Sequence, residues 1–378
     1  MRKKLKIVAD ENMPAVEAMF SDVADVYRCP GRTMNAVELT DADILLVRSV
    51  TQVNEALLSQ AKSLKMVGTA TIGVDHIDQD YLKSMDIPFY SAPGCNANSV
   101  VDYVLTALFS LLEAECRDIR DLTVGVIGVG NVGGRLVDRL RAIGVKTLQN
   151  DPPKQVSGTQ GLVSLETVIQ QADIVCLHTP LVKTGEWPTY HLLGELELIG
   201  LKENAILLNA GRGPVIDNQA LLKVKQHRAD LKVVLDVWEH EPRVDKTLAD
   251  YVDIATPHIA GYSLEGKLRG TYMLRECLAE QFSQALPHAF ERYLPAPVIQ
   301  KMTVSEDVSP YELMRSVYDL FRDDRAMRKT LGVAHQNVLF DQLRKQYPVR
   351  REFSSLEVSL PSGSEVAHYL ERIGFKVS

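Results

Sequence analysis

Three charged side chains stand where an apolar, strand-like run gives way to a turn. Arg212 lies in Asn209-Ala-Gly-Arg212-Gly-Pro, Glu241 in Asp236-Val-Trp-Glu-His-Glu241-Pro and His258 in Thr256-Pro-His258-Ile-Ala-Gly261. An imidazole with an ordinary pKa of about 6.5 can take a proton from an alcohol at neutral pH and return it. A carboxylate on the far ring nitrogen fixes the tautomer and favours the imidazolium; each unit of pKa so gained corresponds to about 1.4 kcal/mol. A guanidinium holds a carboxylate through a forked, charge-assisted contact that lysine cannot copy. Together the three suit oxidation of a hydroxyacid, with His258 as general base, Glu241 as its partner and Arg212 as substrate anchor. Singly, each has an ordinary reading: Arg212 as an ion-paired turn residue, Glu241 as a surface turn, His258 as a satisfied loop histidine.

Such an oxidation needs a hydride acceptor, and the stretch from Thr123 to Asp151 supplies a place for one. The β-branched run Thr123, Val124, Val126, Ile127 enters the turn Gly128-Val-Gly130-Asn-Val-Gly133, and an amphipathic segment with Leu136, Val137, Leu140 and Ile143 on one face leaves it. Gly128 permits the tight turn, Gly130 lets backbone approach a pyrophosphate, and Gly133 allows close helix-to-strand packing. The amides of Asn131, Val132 and Gly133 at the helix start then face the phosphates. A second run, Val145 to Leu148, delivers Asp151 eighteen residues after Gly133, where an acid meets the ribose 2′-hydroxyl and repels a 2′-phosphate. The expected cofactor is therefore NAD. A glycine turn alone is a weak signal; strand before, helix after and acid at this distance make it specific.

The elements around these residues alternate. Before the glycine turn, candidate strands at 6–9, 23–27, 44–47, 65–68 and 88–90 are separated by helical patterns near 14–20, 54–61 and 80–85. This rhythm predicts a parallel sheet with crossover helices. Pro93-Gly94 breaks the chain, and Asn98 or Ser99 is expected to cap a bridging helix whose apolar face is Val101, Val104, Leu105, Leu108 and Leu112. After Asp151, strands are expected at 173–177, 205–209, 233–237 and 254–255. Ligands in doubly wound sheets sit beyond the carboxyl ends of the strands, which is where Arg212, Asp236, Glu241 and His258 fall. Helical spacing from Tyr262 to Phe282 suggests that the chain crosses back to its first lobe and leaves a cleft between two α/β lobes. The expected division is a substrate-binding lobe at 1–97 plus 262–286, a nucleotide lobe at 98–261 and a C-terminal α+β domain at 287–378. In that last piece Leu313, Val317, Leu320 and Phe321 follow helical spacing, Leu356, Val358 and Leu360 alternate, and Val366, Tyr369, Leu370 and Ile373 return to a helix.

Composition narrows the partners. The 378 residues are 46% apolar, with 42 Lys and Arg against 49 Asp and Glu, a net charge of −7. With no basic block beyond Arg2-Lys3-Lys4, neither nucleic acid nor an anionic membrane is an expected partner. The apolar start is too short for a secretion signal, and no run approaches the roughly 20 residues of a spanning helix. Five cysteines without CxxC or metal-like spacing suggest reduced thiols in a cytosol and no bound metal. His76 beside Asp75 lacks a third ligand, Cys95 belongs to the Gly94 turn, and His178 is expected to pack under the cofactor site.

The glycine turn and the segments around Arg212, Glu241 and His258 occur in the order found in the D-isomer-specific 2-hydroxyacid dehydrogenases, and residues 1 to about 285 resemble that family. Further stretches, Asp10-Glu-Asn-Met-Pro14, Val47-Arg-Ser-Val-Thr51, Gly68-Thr-Ala-Thr-Ile-Gly73, Ala92-Pro-Gly-Cys-Asn96, Asp151-Pro-Pro153 and His258-Ile-Ala-Gly-Tyr262, together with a C-terminal extension, are similar to a branch that acts on a phosphorylated hydroxyacid. The resemblance implies a nucleotide-binding Rossmann lobe and a flavodoxin-like substrate lobe. It also implies catalytic roles for Arg212, Glu241 and His258, cofactor contacts at Asp151, Thr179, Asp236 and Gly261, and substrate contacts at Ser49, Thr71 and Tyr262. Dimerisation through the C-terminal domain follows from it as well. A substrate with both a carboxylate and a phosphate needs local cations in so acidic a chain. Arg48 is the first candidate for the phosphate, and Arg350 or Arg351 the second. The rival readings are another NAD-linked dehydrogenase of the same family and a NAD-sensing, corepressor-like binding protein.

Overall fold

The computed structural model describes residues 4–361 and 364–378, which form two compact units, 1–96 with 263–296 and 97–262 with 297–378.

In the first unit the β-rich runs form five parallel strands, Leu5–Asp10, Ala24–Cys29, Ile44–Val47, Met66–Thr69 and Phe89–Tyr90, in the order 2-1-3-4-5. The two strands Ile44–Val47 and Met66–Thr69 are buried along their whole length, which is why their sequences run apolar without alternation. The helix Leu264–Gln281 returns to this unit, as its periodicity implied, and lays Leu268, Leu274 and Leu278 against Met19, Phe20 and Leu46. Its close approach depends on Gly270, where a Cβ would lie 2.8 Å from the Ala70 carbonyl oxygen.

In the second unit six parallel strands, Thr123–Ile127, Lys146–Asn150, Ile174–Leu177, Ile206–Asn209, Lys232–Leu235 and Ile254–Ala255, take the order 2-1-3-4-5-6. The order reverses at Thr123–Ile127, so this strand and Ile174–Leu177 flank the switch point at whose carboxyl end ligands sit. The fifth strand stops at Leu235, and Asp236 and Val237 belong to the turn that follows.

The bridging helix runs Ala97–Ala114, so Asn98 and Ser99 lie inside it and cap nothing. Ser99 instead donates to the Ala260 carbonyl at 2.9 Å, and Asn98 accepts from Arg135 at 2.8 Å. By length and composition this helix could cross a bilayer, but thirteen of its residues are buried in the core of the unit, its apolarity being that of a central helix.

The C-terminal stretch joins the second unit. Leu313, Met314, Phe353, Val358 and Leu370 share a core with the bridging helix, while Met327, Leu331 and Phe340 join the core on the other side of the sheet. A fully buried side chain of this kind contributes about 1.5–3 kcal/mol. As expected of an α+β piece, it sets helices beside a small sheet, whose three strands, Lys301–Thr303, Glu357–Ser359 and Lys376–Val377, run parallel. The first and last of these have only three and two residues, too few for a readable alternation.

Candidate active site

The glycine turn has the geometry its sequence requires. Gly128 sits at φ +87°, and a Cβ on Gly133 would lie 2.0 Å from the Gly128 carbonyl oxygen. At Gly130 a Cβ would meet nothing within 4 Å, so here the missing side chain leaves open space beside the helix Asn131–Ala142. No side chain caps that helix, which leaves its first amides available to an anion. Asp151 accepts from the Val129 amide at 2.9 Å and so stands against the turn itself. Nearby, the Thr179 hydroxyl and both ring nitrogens of His178 are buried with no hydrogen-bond partner among the described residues. An open cradle, uncapped amides, an acid at the turn and an orphaned hydroxyl fit a dinucleotide. Burial alone pushes the His178 ring down to about 4, so it is neutral at physiological pH.

Beyond the neighbouring strands lie the three residues expected to do chemistry. His258 Nδ1 and Glu241 Oε2 are 2.7 Å apart. The other oxygen of Glu241 accepts from the Trp238 amide at 2.8 Å. Burial works to raise the Glu241 carboxyl, but the His258 charge and hydrogen bond, Arg344 and the Trp238 amide outweigh it and hold the group below the ordinary glutamate range. Arg212 stands in a turn pinned by Asn209, whose Oδ1 accepts from the Gly211 amide at 3.0 Å and whose Nδ2 donates to the Arg212 carbonyl at 3.0 Å. Gly213 lets this turn approach the next strand's exit: its Cβ would lie 2.0 Å from the Trp238 carbonyl. The glycines flanking Arg212 are thus a packing requirement.

Asp236, expected to contact cofactor, is 1% exposed and turned toward the loop that carries His258. Its Oδ1 accepts from the Thr256 hydroxyl at 2.6 Å and the Ile259 amide at 2.9 Å, and its Oδ2 from the Ala260 amide at 2.9 Å. Thr256 having spent its proton, the Tyr103 hydroxyl donates to it at 2.7 Å. Gly261 and Tyr262 close the same loop, with the Tyr262 amide on the Ile259 carbonyl at 2.8 Å.

In the first unit Arg48 and Ser49 follow the strand Ile44–Val47, and Thr71 follows its neighbour Met66–Thr69; Val47 pairs with Thr69, so all three stand at the carboxyl end of one sheet. Arg48 donates to the Asn12 carbonyl at 3.3 Å, and Thr71 to the Gly73 carbonyl at 2.8 Å. His76 is used internally, with Nε2 3.0 Å from the Thr69 hydroxyl.

Arg350, a candidate for the substrate phosphate, is only 4% exposed and serves the scaffold: it donates to Ser99 and to the Ala260 carbonyl and lies 4.4 Å from the Tyr318 ring centroid. The residue the sequence did not single out is Arg344. Its guanidinium carbon lies 5.7 Å from the Tyr262 ring centroid, and it contributes to the field on Glu241. Only its place in an unassigned amphipathic helix, Gln336–Lys345, could have marked it. His191, Asp217 and Glu239 also gather their ligand atoms within 4.8 Å, but each is spent locally: His191 on Glu239 at 2.6 Å, Asp217 on the helix start at Gln219 and Ala220, Glu239 on the Asn218 amide.

Two parallel sheets, a dinucleotide turn and a His–Glu pair beyond adjacent strand ends are the marks of an NAD-dependent 2-hydroxyacid oxidoreductase. Residues 107–260 match the family described as D-isomer specific 2-hydroxyacid dehydrogenase, NAD binding domain, and residues 293–374 match a domain described as of unknown function. Among solved structures, the NAD-bound 3-phosphoglycerate dehydrogenase of Entamoeba histolytica shares the fold, with 22% identity and a TM-score of 0.64 over 74% of this chain and 96% of its own. D-Lactate dehydrogenase from Aquifex aeolicus, complexed with NAD and lactic acid, is 25% identical with a TM-score of 0.60 over 73% of this chain and 95% of its own. Over its full length the chain is similar to the erythronate-4-phosphate dehydrogenases of Klebsiella pneumoniae (strain 342), 49% identical over 98% of both chains, and of Tolumonas auensis, 46% identical over 99% and 100%. The chain belongs to the erythronate-4-phosphate dehydrogenase family.

Proposed function

We propose that this chain oxidises 4-phospho-D-erythronate at C2 to 2-oxo-3-hydroxy-4-phosphobutanoate, with NAD, as a step of pyridoxal 5′-phosphate synthesis. The observation that carries the reading is the full-length similarity to relatives of that name, 49% identical over 98% of both chains. The His258–Glu241 contact at 2.7 Å supports it chemically.

His258 Nε2 takes the proton of the C2 hydroxyl, while Nδ1 donates to Glu241, whose carboxylate stabilises the imidazolium as it forms. Arg212 holds the substrate carboxylate and the carbonyl oxygen that develops at C2. NAD, when bound, accepts the hydride at its nicotinamide ring. Asp151 holds the adenosine ribose, Thr179 and Gly261 line the cofactor, and the amides of Asn131, Val132 and Gly133 with the space at Gly130 receive the pyrophosphate. Ser49, Thr71 and Tyr262 bind substrate, and Arg48 meets the phosphate. The active form is a homodimer through the C-terminal domain. Five cysteines with no disulfide among the described residues suit the reducing cytoplasm.

The test is reduction of NAD, followed by absorbance, with 4-phosphoerythronate, 3-phosphoglycerate and unphosphorylated erythronate, a 2-oxoacid being added to recycle cofactor that stays bound. Turnover confined to the first supports the reading. Turnover of 3-phosphoglycerate instead would make this another dehydrogenase of the same class. Tight NAD binding without turnover of any would favour a sensor.

A further inference from the structure

The C-terminal stretch reaches the catalytic loop at three points. Arg350 holds the Ala260 carbonyl, the Tyr347 ring packs edge-on to Tyr262 with centroids 5.7 Å apart, and the Arg344 guanidinium lies over the Tyr262 ring, 5.7 Å from its centroid. Two of these contacts are plainly structural. Arg350 is buried, and the Tyr347 hydroxyl donates to Asp323 at 2.5 Å.

Arg344 is different. It is half-buried, and its Nε is sealed from solvent with no hydrogen-bond partner among the described residues. The guanidinium bonds the Tyr262 side chain and feels the charges of Glu241 and, on its own helix, Asp341. Both oxygens of Glu241 are already engaged, one against His258 and the other accepting from the Trp238 amide. A guanidinium offers five donors in a planar fork, more than the Tyr262 side chain can take, and a buried donor left without a partner is costly. Such a group, beside a loop that carries His258 four residues before Tyr262, is poised for an anion brought in from outside.

We propose that Arg344, together with the Tyr262 hydroxyl, binds the phosphate of the substrate and so makes the C-terminal stretch a determinant of specificity. This rests on the reading above that the substrate is a 4-phosphorylated 2-hydroxyacid. Its phosphate hangs from C4, two carbons beyond the C2 that reacts at His258. A planar fork matches phosphate geometry better than the point charge of lysine.

The experiment compares wild type with Arg344→Met, which keeps the stem and removes the charge, and Arg344→Lys, which keeps the charge and removes the fork. KM and kcat are measured with 4-phosphoerythronate and with erythronate. Arg344→Met should raise KM for the phosphorylated substrate about 10- to 100-fold and leave KM for erythronate within about twofold of wild type, any fall in kcat through Glu241 being shared by both substrates; Arg344→Lys should fall between. An equal rise in KM for both substrates, or an unchanged KM for the phosphorylated one, would overturn the proposal. In parallel, inorganic phosphate is titrated into the NAD-loaded proteins and the shift in Tm recorded. A wild-type protein that oxidises neither substrate yet loses phosphate binding in either variant would sink the activity reading and keep Arg344 as the phosphate ligand; equal phosphate binding in all three would do the reverse. If Arg344→Met does not fold, Arg344→Lys decides by the same two readouts.

Discussion

The His258 amide donates to the Asp236 carbonyl at 2.7 Å, which holds the His258 backbone at φ +58°, in the left-handed region that a side chain with a Cβ seldom occupies. The Asp236 carboxylate closes the same loop from the other side through Thr256, Ile259 and Ala260. One residue at a strand exit therefore sets both the conformation of His258 and the direction of the chain after it.

Asp236→Asn should separate this role from cofactor binding. An amide has one oxygen, so at least one of the Ile259, Ala260 and Thr256 donors loses its acceptor in a buried place, costing about 1–3 kcal/mol. The urea midpoint should fall accordingly and kcat should drop, while the NAD Kd changes little. A large rise in Kd at unchanged stability would return Asp236 to the cofactor.

His258→Ala should lower kcat by about 10²- to 10⁴-fold, the usual range for a lost general base, and leave NAD affinity intact. Glu241→Gln should act in the same direction, because the amide cannot stabilise the imidazolium. If NAD affinity falls in step with activity, His258 holds the loop and does not move the proton.

The two glycines of the turn should respond oppositely to the same change. Gly130→Ala puts a methyl where nothing lies within 4 Å, so Tm should hold while KM for NAD rises because the methyl fills the approach to the pyrophosphate. Gly133→Ala puts one 2.0 Å from the Gly128 carbonyl oxygen, so the protein itself should be destabilised. Equal melting temperatures for both would contradict the packing described for this turn.

Acid stability should carry the signature of His178. Its ring takes a proton near the ordinary 6.5 when the chain is unfolded but resists it down to about 4 when folded. The folded pKa being depressed, the contribution is complete above about pH 6.5 and declines as pH falls toward 4, by about 3 kcal/mol at most. Urea unfolding between pH 7 and 4 should show a flatter decline for His178→Phe than for wild type. An identical slope would assign the acid loss to other groups.

Much of this architecture is written locally. Strands such as Ile44–Val47 and Ile254–Ala255 coincide with their apolar runs because a strand covered on both faces has no polar position to blur it. Arg212, Glu241 and His258 could be singled out because doubly wound sheets put function at strand ends, and strand ends are legible. The bridging helix was readable in its apolar face but not in its start, since Asn98 and Ser99 spend their side chains on Arg135 and Ala260, partners far away in the chain. Of the C-terminal sheet only the middle strand, Glu357–Ser359, was legible, through the alternation of Leu356, Val358 and Leu360; its neighbours escaped because strands of two or three residues have no period.

What the sequence by itself determined is the set of parts: a dinucleotide turn specified by three glycines, an acid at the right distance, and three charged residues past successive strands. Each of these rests on neighbours within a few residues, where backbone sterics and side-chain type act directly. Tertiary structure alone decided that Asp236 faces the His258 loop, that Arg350 is a buttress and that Arg344 stands beside Tyr262. The first depends on which loop groups come within reach of a buried carboxylate some 20 residues away, the other two on which surfaces the C-terminal helices bury, a balance of apolar contact and unpaired polar groups struck between segments some 80 to 90 residues apart.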